Sequence, residues 1–380
     1  MSGVRRVVSV VGTRPNYMKI VPIARILEAR EDFEHTLVHT GQHYDPEMSG
    51  IFFDQLGVDA PDHLLEVGSG THAAQAARVM ERLEPLLLDI RPDLVLLPGD
   101  VNSTMAAALV ATKLGLFTAH VEAGLRSFDR SMPEEVNRVV VDAVADLLFT
   151  HSPEARLNLL AEGAPEESVF DVGNTMIDSL VTMLPQASEA QMARRLDLQE
   201  RSYLLVTLHR PTLTDGPLLA AALGALEAVA ERLPVVFPVH PRTKARLEAE
   251  KLQARGVMLL DPLGYIEFIS LLRSSAAVLT DSGGVQEEST FLGVPCFTLR
   301  ENTERPITVT RGTNVLLGLN PERIASIPKM LPESDTRRSI QIEGWDGAAA
   351  RRVVDVLARP DLRPRAEITY ANGPRVSALD

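Results

Sequence analysis

At 380 residues, with 45% hydrophobic and 23% charged side chains, the chain is sized for two or three domains of ordinary globular composition, which excludes disorder, collagen and coiled coil. Its 38 basic against 51 acidic residues leave a formal net charge of −13. That balance offers no footprint for nucleic acid or an anionic membrane, so a bound anion must be met by a local cluster of bases.

The opening MSGVRRVVSVVG turns into Gly12-Thr13-Arg14-Pro15 too early for a secretory h-region, and no apolar run approaches the ~20 residues of a membrane span. The lone Cys296 allows no internal disulfide, so the chain reads as cytoplasmic. Continuous apolar runs then recur at residues 7–11, 36–38, 94–97, 117–121, 147–150 and 169–172, and again at 203–207, 235–239, 257–260, 277–280 and 295–299. Runs without alternation predict strands covered on both faces. Between them the apolar residues keep a helical period, as in Ile20, Ile23, Ala24 and Leu27 or Ala73, Ala76, Ala77, Met80, Leu83 and Leu87. Strands alternating with helices predict an α/β protein of two Rossmann-like, doubly wound domains.

The polar stretch 184–201 separates the two series, which places a hinge near residues 178–202. Domains are expected at 1–178 and 179–345, followed by a helix and tail at 346–380 that pack back on the first domain; the tail from Pro360 is expected to be loosely ordered.

Ligands of open parallel sheets bind beyond the carboxyl ends of the strands, and there the unusual polar residues cluster. The first strand is followed by Gly12-Thr13-Arg14-Pro15-Asn16, with Asn16 read as a helix N-cap, and by Lys19. Later strands lead into Thr40-Gly41-Gln42-His43, Gly99-Asp100-Val101-Asn102-Ser103-Thr104 and His120-Val121-Glu122-Ala123-Gly124-Leu125-Arg126, and Pro133-Glu134-Glu135-Val136-Asn137-Arg138 opens a helix. In the second half the strand ends are His209-Arg210, His240-Pro241-Arg242 and Asp281-Ser282-Gly283-Gly284. Two such edges facing one another predict a charged interdomain cleft.

Ser282-Gly283-Gly284 passes straight from a strand into a helix, which exposes backbone amides at the positive end of the helix dipole to an anion. Simple capping by Ser282 is the competing account, and the bases Arg300, Arg305 and Arg311 downstream favour phosphate. Asp100 and Glu122 end successive strands and can share a pocket with Glu134, a grouping suited to acid and base work at carbon. For Glu134 the competing account is an exposed ion pair with Arg138, four residues on. Neither a dinucleotide glycine fingerprint nor a phosphate loop is present, and His35, His39 and His43 cross a strand and a loop, so no metal site is expected. His209 and His240, each ending a strand, are the functional histidine candidates; His120 and His151 read as structural.

Taken together, these motifs from about Val8 to Asn314, with Gly173-Asn174, the Val285-Gln286-Glu287-Glu288 continuation and Thr303-Glu304-Arg305-Pro306, resemble the non-hydrolysing UDP-N-acetylglucosamine 2-epimerases. The resemblance implies a GT-B arrangement with an interdomain active-site cleft, a homodimer, a UDP-sugar substrate, and no metal or redox cofactor. It implies loss of UDP with removal of the C2 proton to a 2-acetamidoglucal, then re-addition with inverted C2. Carried over by residue, it puts catalytic roles on Asp100, Glu122, Glu134 and His209. Diphosphate and uridine contacts fall on Arg14, Lys19, Arg138, Ser282, Gly283, Gly284 and Arg305, and the ribose hydroxyls on Glu288. His240 is kept as a substrate contact from its strand-end position. Some members bind a second UDP-N-acetylglucosamine as activator, and Gln42 and His43 match that site in part. The chain departs from the family after His209-Arg210, where it has Pro211-Thr212-Leu213-Thr214-Asp215. A diacetamido-uronic acid epimerase, a hydrolytic variant releasing N-acetylmannosamine, and a catalytically silent binding protein are the other readings.

Overall fold

The computed structural model describes residues 4–41, 60–210, 213, 216–239, 241–331 and 340–362. Gln42, His43, His240, most of the 211–215 loop and most of the tail after Pro360 lie outside the described residues. The chain divides into two compact units, Met1–Ser179 with Glu343–Asp380, and Leu180–Ile342.

In the first unit, β1 (Arg5–Val11), β2 (Phe33–His39), β3 (His63–Leu64), β4 (Leu94–Pro98), β5 (Phe117–Val121), β6 (Leu147–Thr150) and β7 (Val169–Asp171) form one parallel sheet in the order β3-β2-β1-β4-β5-β6-β7. The order reverses beside β1, the switch point of a doubly wound sheet, with β4 paired to β1 on one edge and β5 on the other. All five residues of β4 are buried, as the unbroken apolar run 94–97 requires of a strand covered on both faces. In the second unit, β8 (Leu204–Thr207), β9 (Val235–Pro238), β10 (Val257–Leu260), β11 (Ala277–Thr280), β12 (Cys296–Thr298) and β13 (Asn314–Leu316) form a second parallel sheet in the order β10-β9-β8-β11-β12-β13. Its core joins Leu204, Val206, Phe237, Leu279 and Phe297 to Leu223 and Leu226 of the helix Leu218–Ala230.

Every apolar run read as a strand is one. The edge strands β3 and β13 are additional, two and three residues long, too short to carry a period. One local expectation is corrected: the helix Arg14–Glu28 is capped by Thr13, and Asn16 is its third residue. The Asn16 carboxamide oxygen accepts from the amides of Gly12 and Thr13 at 3.2 and 3.1 Å, and its nitrogen donates to the Pro98 carbonyl at 2.8 Å, so it ties the first loop to the end of β4.

The helix Ala349–Leu357 belongs to the first unit, packs on the helix Arg14–Glu28, and is capped from a distance. The Asp178 carboxylate accepts from the amides of Ala349 and Ala350 at 3.1 and 2.7 Å, two donors that the start of a helix otherwise leaves unsatisfied. Trp345 is buried beside it and donates from Nε1 to the His151 carbonyl at 3.0 Å. Replacing a capping carboxylate by alanine typically costs ~1–2 kcal/mol. Asp178→Ala is therefore expected to lower the unfolding free energy of the first unit by that amount, seen as a lower urea midpoint with an unchanged m-value, and a midpoint equal to wild type rules the cap out as a stabilising contact.

Candidate active site

The candidate residues of the first unit arise from three neighbouring places: the ends of β4 and β5, and the start of the helix Pro133–Val144. Asp100 follows β4 by two residues, and its carboxylate lies 2.5 Å from Nη1 of Arg138. The guanidinium of Arg138, buried to 1% exposure, also contacts Glu135 at 2.7 Å through Nη2. Glu135 in turn accepts from the amides of Ser127 and Phe128, both at 2.9 Å. Burial would raise the Glu135 pKa, but the Ser127 amide and Arg138 hold it below the usual carboxylate range. The ion pairs of Arg138 thus run to Glu135 and Asp100. Arg138 turns inward to Glu135 and Asp100, while Glu134 stays half-buried on the first turn.

Glu122 follows β5 directly. It is 6% exposed and lies 2.7 Å from Nζ of Lys19, itself 5% exposed. Its backbone has φ of 79°, a left-handed conformation that a residue with a Cβ rarely adopts. That conformation is held from β6, because the amides of both Glu122 and Ala123 donate to the Phe149 carbonyl, at 3.1 and 3.0 Å. The Lys19 ammonium reaches this place by crossing Gly99. A Cβ on Gly99 would stand 2.7 Å from Nζ, and the φ of 68° there favours glycine independently. Asp100, Glu122, Glu135, Lys19 and Arg138 thus form one cluster of three acids and two bases. Arg14 is exposed on the first residue of its helix.

Behind the cluster is a second set of charges. His120, fully buried on β5, lies 2.6 Å through Nδ1 from Asp142 and 2.8 Å through Nε2 from the Gly99 carbonyl. Asp142 also accepts from the amide of Gly124 at 3.0 Å and from Arg126 at 2.7 Å, and Arg126 reaches Glu162. The loops that end in Asp100 and Glu122 are therefore fastened to one buried carboxylate. Burial would raise the Asp142 pKa, yet His120 and Arg126 hold it below the usual value. A carboxyl lowered in the folded state adds stability above its unfolded pKa of roughly 3.9 and loses it as the pH falls through the lower native value. Acid unfolding below about pH 4 should accordingly be steep in the wild type. Asp142→Asn should flatten stability against pH in that window, and an unchanged slope would remove Asp142 from the linkage.

In the second unit, Ser282, Gly283 and Gly284 lead from β11 into the helix Gly283–Phe291. Ser282 is the N-cap residue but makes no side-chain cap hydrogen bond, so capping does not account for its presence. Arg305, 5% exposed, lies against this helix start: a Cβ on Gly283 would be 2.3 Å from its Nη1, so only glycine admits the guanidinium. Arg305 is steadied by Glu304 and by Glu287, whose Oε1 is 3.0 Å from Nε, and Arg300 lies 2.6 Å from the other oxygen of Glu304. Arg311 is exposed. Glu288, 3% exposed, accepts from the hydroxyl of the buried Tyr265 at 2.9 Å. His209 has a half-exposed ring, with Nδ1 2.8 Å from Asp281.

Within each unit the structure therefore gathers the residues singled out by sequence: Asp100, Glu122, Lys19 and Arg138 in one, and Ser282, Gly283, Gly284 and Arg305 in the other. Sequence reasoning assigned no role to Asp142, Asp281 or Tyr265. Asp281 was visible in the Asp-Ser-Gly-Gly motif, but the other two carry no local signal, being a helix acid and a helix aromatic whose partners are distant in the chain.

Two parallel Rossmann-like sheets, a helix start with an arginine laid across it, and paired acids at strand ends define a nucleotide-sugar enzyme of the GT-B class. The model of the UDP-N-acetylglucosamine 2-epimerase family matches residues 25–358, and the chain belongs to that family. It is 42% identical over 361 residues to a UDP-N-acetylglucosamine 2-epimerase homolog of Methanococcus maripaludis, covering 93% of this chain and 99% of the relative. It is 38% identical to the UDP-2,3-diacetamido-2,3-dideoxy-D-glucuronate 2-epimerase of Pseudomonas aeruginosa over the same shares. Among solved structures it resembles the Methanocaldococcus jannaschii UDP-GlcNAc 2-epimerase in complex with UDP-GlcNAc and UDP, with a TM-score of 0.82 and 39% identity over 93% of this chain and 99% of that one. Among the described residues no helix is long and apolar enough to cross a membrane.

Proposed function

We infer that this chain is an isomerase that interconverts UDP-N-acetylglucosamine and UDP-N-acetylmannosamine at C2. The observation that carries the chemistry is the pairing of Asp100 and Glu122, at the ends of adjacent strands, with the buried cations Arg138 and Lys19. Such partners fix each carboxylate in place and offset the cost of burying its charge.

The C2 proton of the sugar has no carbonyl beside it to make it acidic. Its removal must accompany departure of UDP from the anomeric carbon, so stabilising the leaving diphosphate is half of the catalytic task. The hydroxyl of Ser282, the amides of Gly283 and Gly284 and the guanidinium of Arg305 are proposed to take the diphosphate, and Glu288 the two ribose hydroxyls. Arg14 lends an exposed guanidinium from the first unit. Asp100, Glu122 and Glu134 supply the base and the acid on the two faces of C2, with His209 as the catalytic histidine. Loss of the C2–H and C1–O bonds gives the 2-acetamidoglucal and UDP. Protonation of C2 on the opposite face as UDP re-forms the bond to C1 gives the epimer, and the proton count is unchanged.

In this reading Lys19 and Arg138 hold the catalytic acids and do not serve primarily as anion contacts, which is supported by their burial and ion pairs. A homodimer and a cytoplasmic location belong to the same proposal. The latter is supported by the single cysteine, Cys296, a buried thiol that burial pushes up to about 11.

Incubation with a panel of UDP-sugars in deuterium oxide, followed by proton NMR, tests the reaction. Deuterium is expected at C2 of both UDP-N-acetylglucosamine and UDP-N-acetylmannosamine. Exchange confined to the diacetamido-uronate transfers the assignment to that substrate, and free N-acetylmannosamine as the first product makes the enzyme a hydrolase. Asp100→Asn should lower kcat by ~10²–10⁴-fold while UDP affinity stays within several-fold, and unchanged turnover takes Asp100 out of the mechanism.

A further inference from the structure

Asp281 follows β11 directly and is fully buried, yet among the described residues every polar contact of its carboxylate comes from one dipeptide. Its Oδ2 accepts from the amides of His209 at 2.9 Å and Arg210 at 2.7 Å, and its Oδ1 lies 2.8 Å from Nδ1 of His209. Arg210 returns a bond from Nε to the Asp281 carbonyl at 3.1 Å. The register of the sheet causes this. β8 and β11 are parallel neighbours with Thr207 opposite Thr280, so both chains leave the sheet side by side and Asp281 meets the residues that follow β8.

Two backbone amides would satisfy a carboxylate whose task was only to fasten a turn. The further contact, to a histidine ring 51% exposed, adds little stability because water screens it. At 2.8 Å it can nonetheless set which ring nitrogen faces the carboxylate with a proton. Burial would raise the Asp281 pKa, but the His209 side chain and the amides of Arg210 and His209 hold it below the usual carboxylate range. An ionised carboxylate can only accept, so the nitrogen facing it must be the donor.

We propose that Asp281 is a positioning residue that fixes His209 as the Nδ1–H tautomer and leaves Nε2 as the nitrogen offered to substrate. The carboxylate orients the imidazole through Nδ1, the service a buried acid performs for a working histidine on unrelated folds. The proposal rests on His209 being the histidine that meets the substrate.

Asp281→Asn provides a clean test. An asparagine can turn its carbonyl oxygen to the two backbone amides and its NH₂ to Nδ1, which keeps the turn while forcing the ring proton onto Nε2. Long-range proton–nitrogen NMR on the full chain, with the ring signals assigned by their loss in His209→Gln, reads the tautomer directly. The wild type is expected to carry the proton on Nδ1 and Asp281→Asn on Nε2. The variant's kcat should fall ~10²–10⁴-fold with its UDP dissociation constant within about threefold of wild type. A purely structural role would not invert the tautomer.

A wild-type ring protonated on Nε2 with a bare Nδ1 overturns the proposal, and that measurement stands even if Asp281→Asn does not fold. An inverted tautomer with turnover within about twofold of wild type also overturns it, provided His209→Gln is inactive. Full turnover by His209→Gln overturns this proposal and the catalytic reading of His209 together.

Discussion

The first unit depends on one constraint: carboxylates taken largely out of water must be met by a cation, because an uncompensated buried charge is costly. Lys19 meets Glu122, and Arg138 meets Asp100 and Glu135 together. Because each partner is itself buried, neither base can be removed without leaving a charge stranded, and the arrangement is fixed as a set. Asp142 extends the same logic one layer inward, where it gathers His120, Arg126 and the Gly124 amide and so fastens the loops that carry the acids.

The second unit solves the opposite problem. Its binding element is a helix start, already electropositive, and Arg305 is pressed against it over Gly283. Two positive features so close would repel each other if nothing stood behind them. Glu304 and Glu287 flank the guanidinium and Arg300 completes the row, so the local charge is balanced without covering the amides at the helix start. The left-handed backbone at Glu122 has a matching rationale in the first unit. A conformation that costs of order 1–3 kcal/mol persists there because two amides are pinned to the Phe149 carbonyl, and the strain aims the carboxylate toward Lys19.

Much of this was legible in the chain. The alternation of apolar runs and helical periods determines both sheets, and the rule that ligands lie beyond strand ends leads directly to Asp100, Glu122, His209 and Ser282. What escaped was pairing across sequence. Helical spacing offers Arg138 both Glu134 and Glu135 without choosing between them, and it gives no hint of the aspartate after β4, 38 residues earlier, that the guanidinium also meets. Lys19 and Arg138 carry the right chemistry for phosphate, and their buried ion pairs with Glu122, Asp100 and Glu135 are not visible in the spacing. Asn16 matched the preference for a cap residue, but Thr13 precedes it and takes the position. Asp281 carries no local signal of its role in Asp-Ser-Gly-Gly because its partner follows a different strand.

A cradle at the start of the helix Gly283–Phe291 that takes phosphate oxygens, as proposed, would be indifferent to whether a sugar is still joined to them. On the proposed function, a freed nucleotide would be gripped as firmly as the intact substrate and would not drift away when its bond breaks. An enzyme of this kind therefore works by delaying escape: the two fragments stay captive long enough to recombine, and leakage, more than bond breaking, separates an epimerase from a hydrolase.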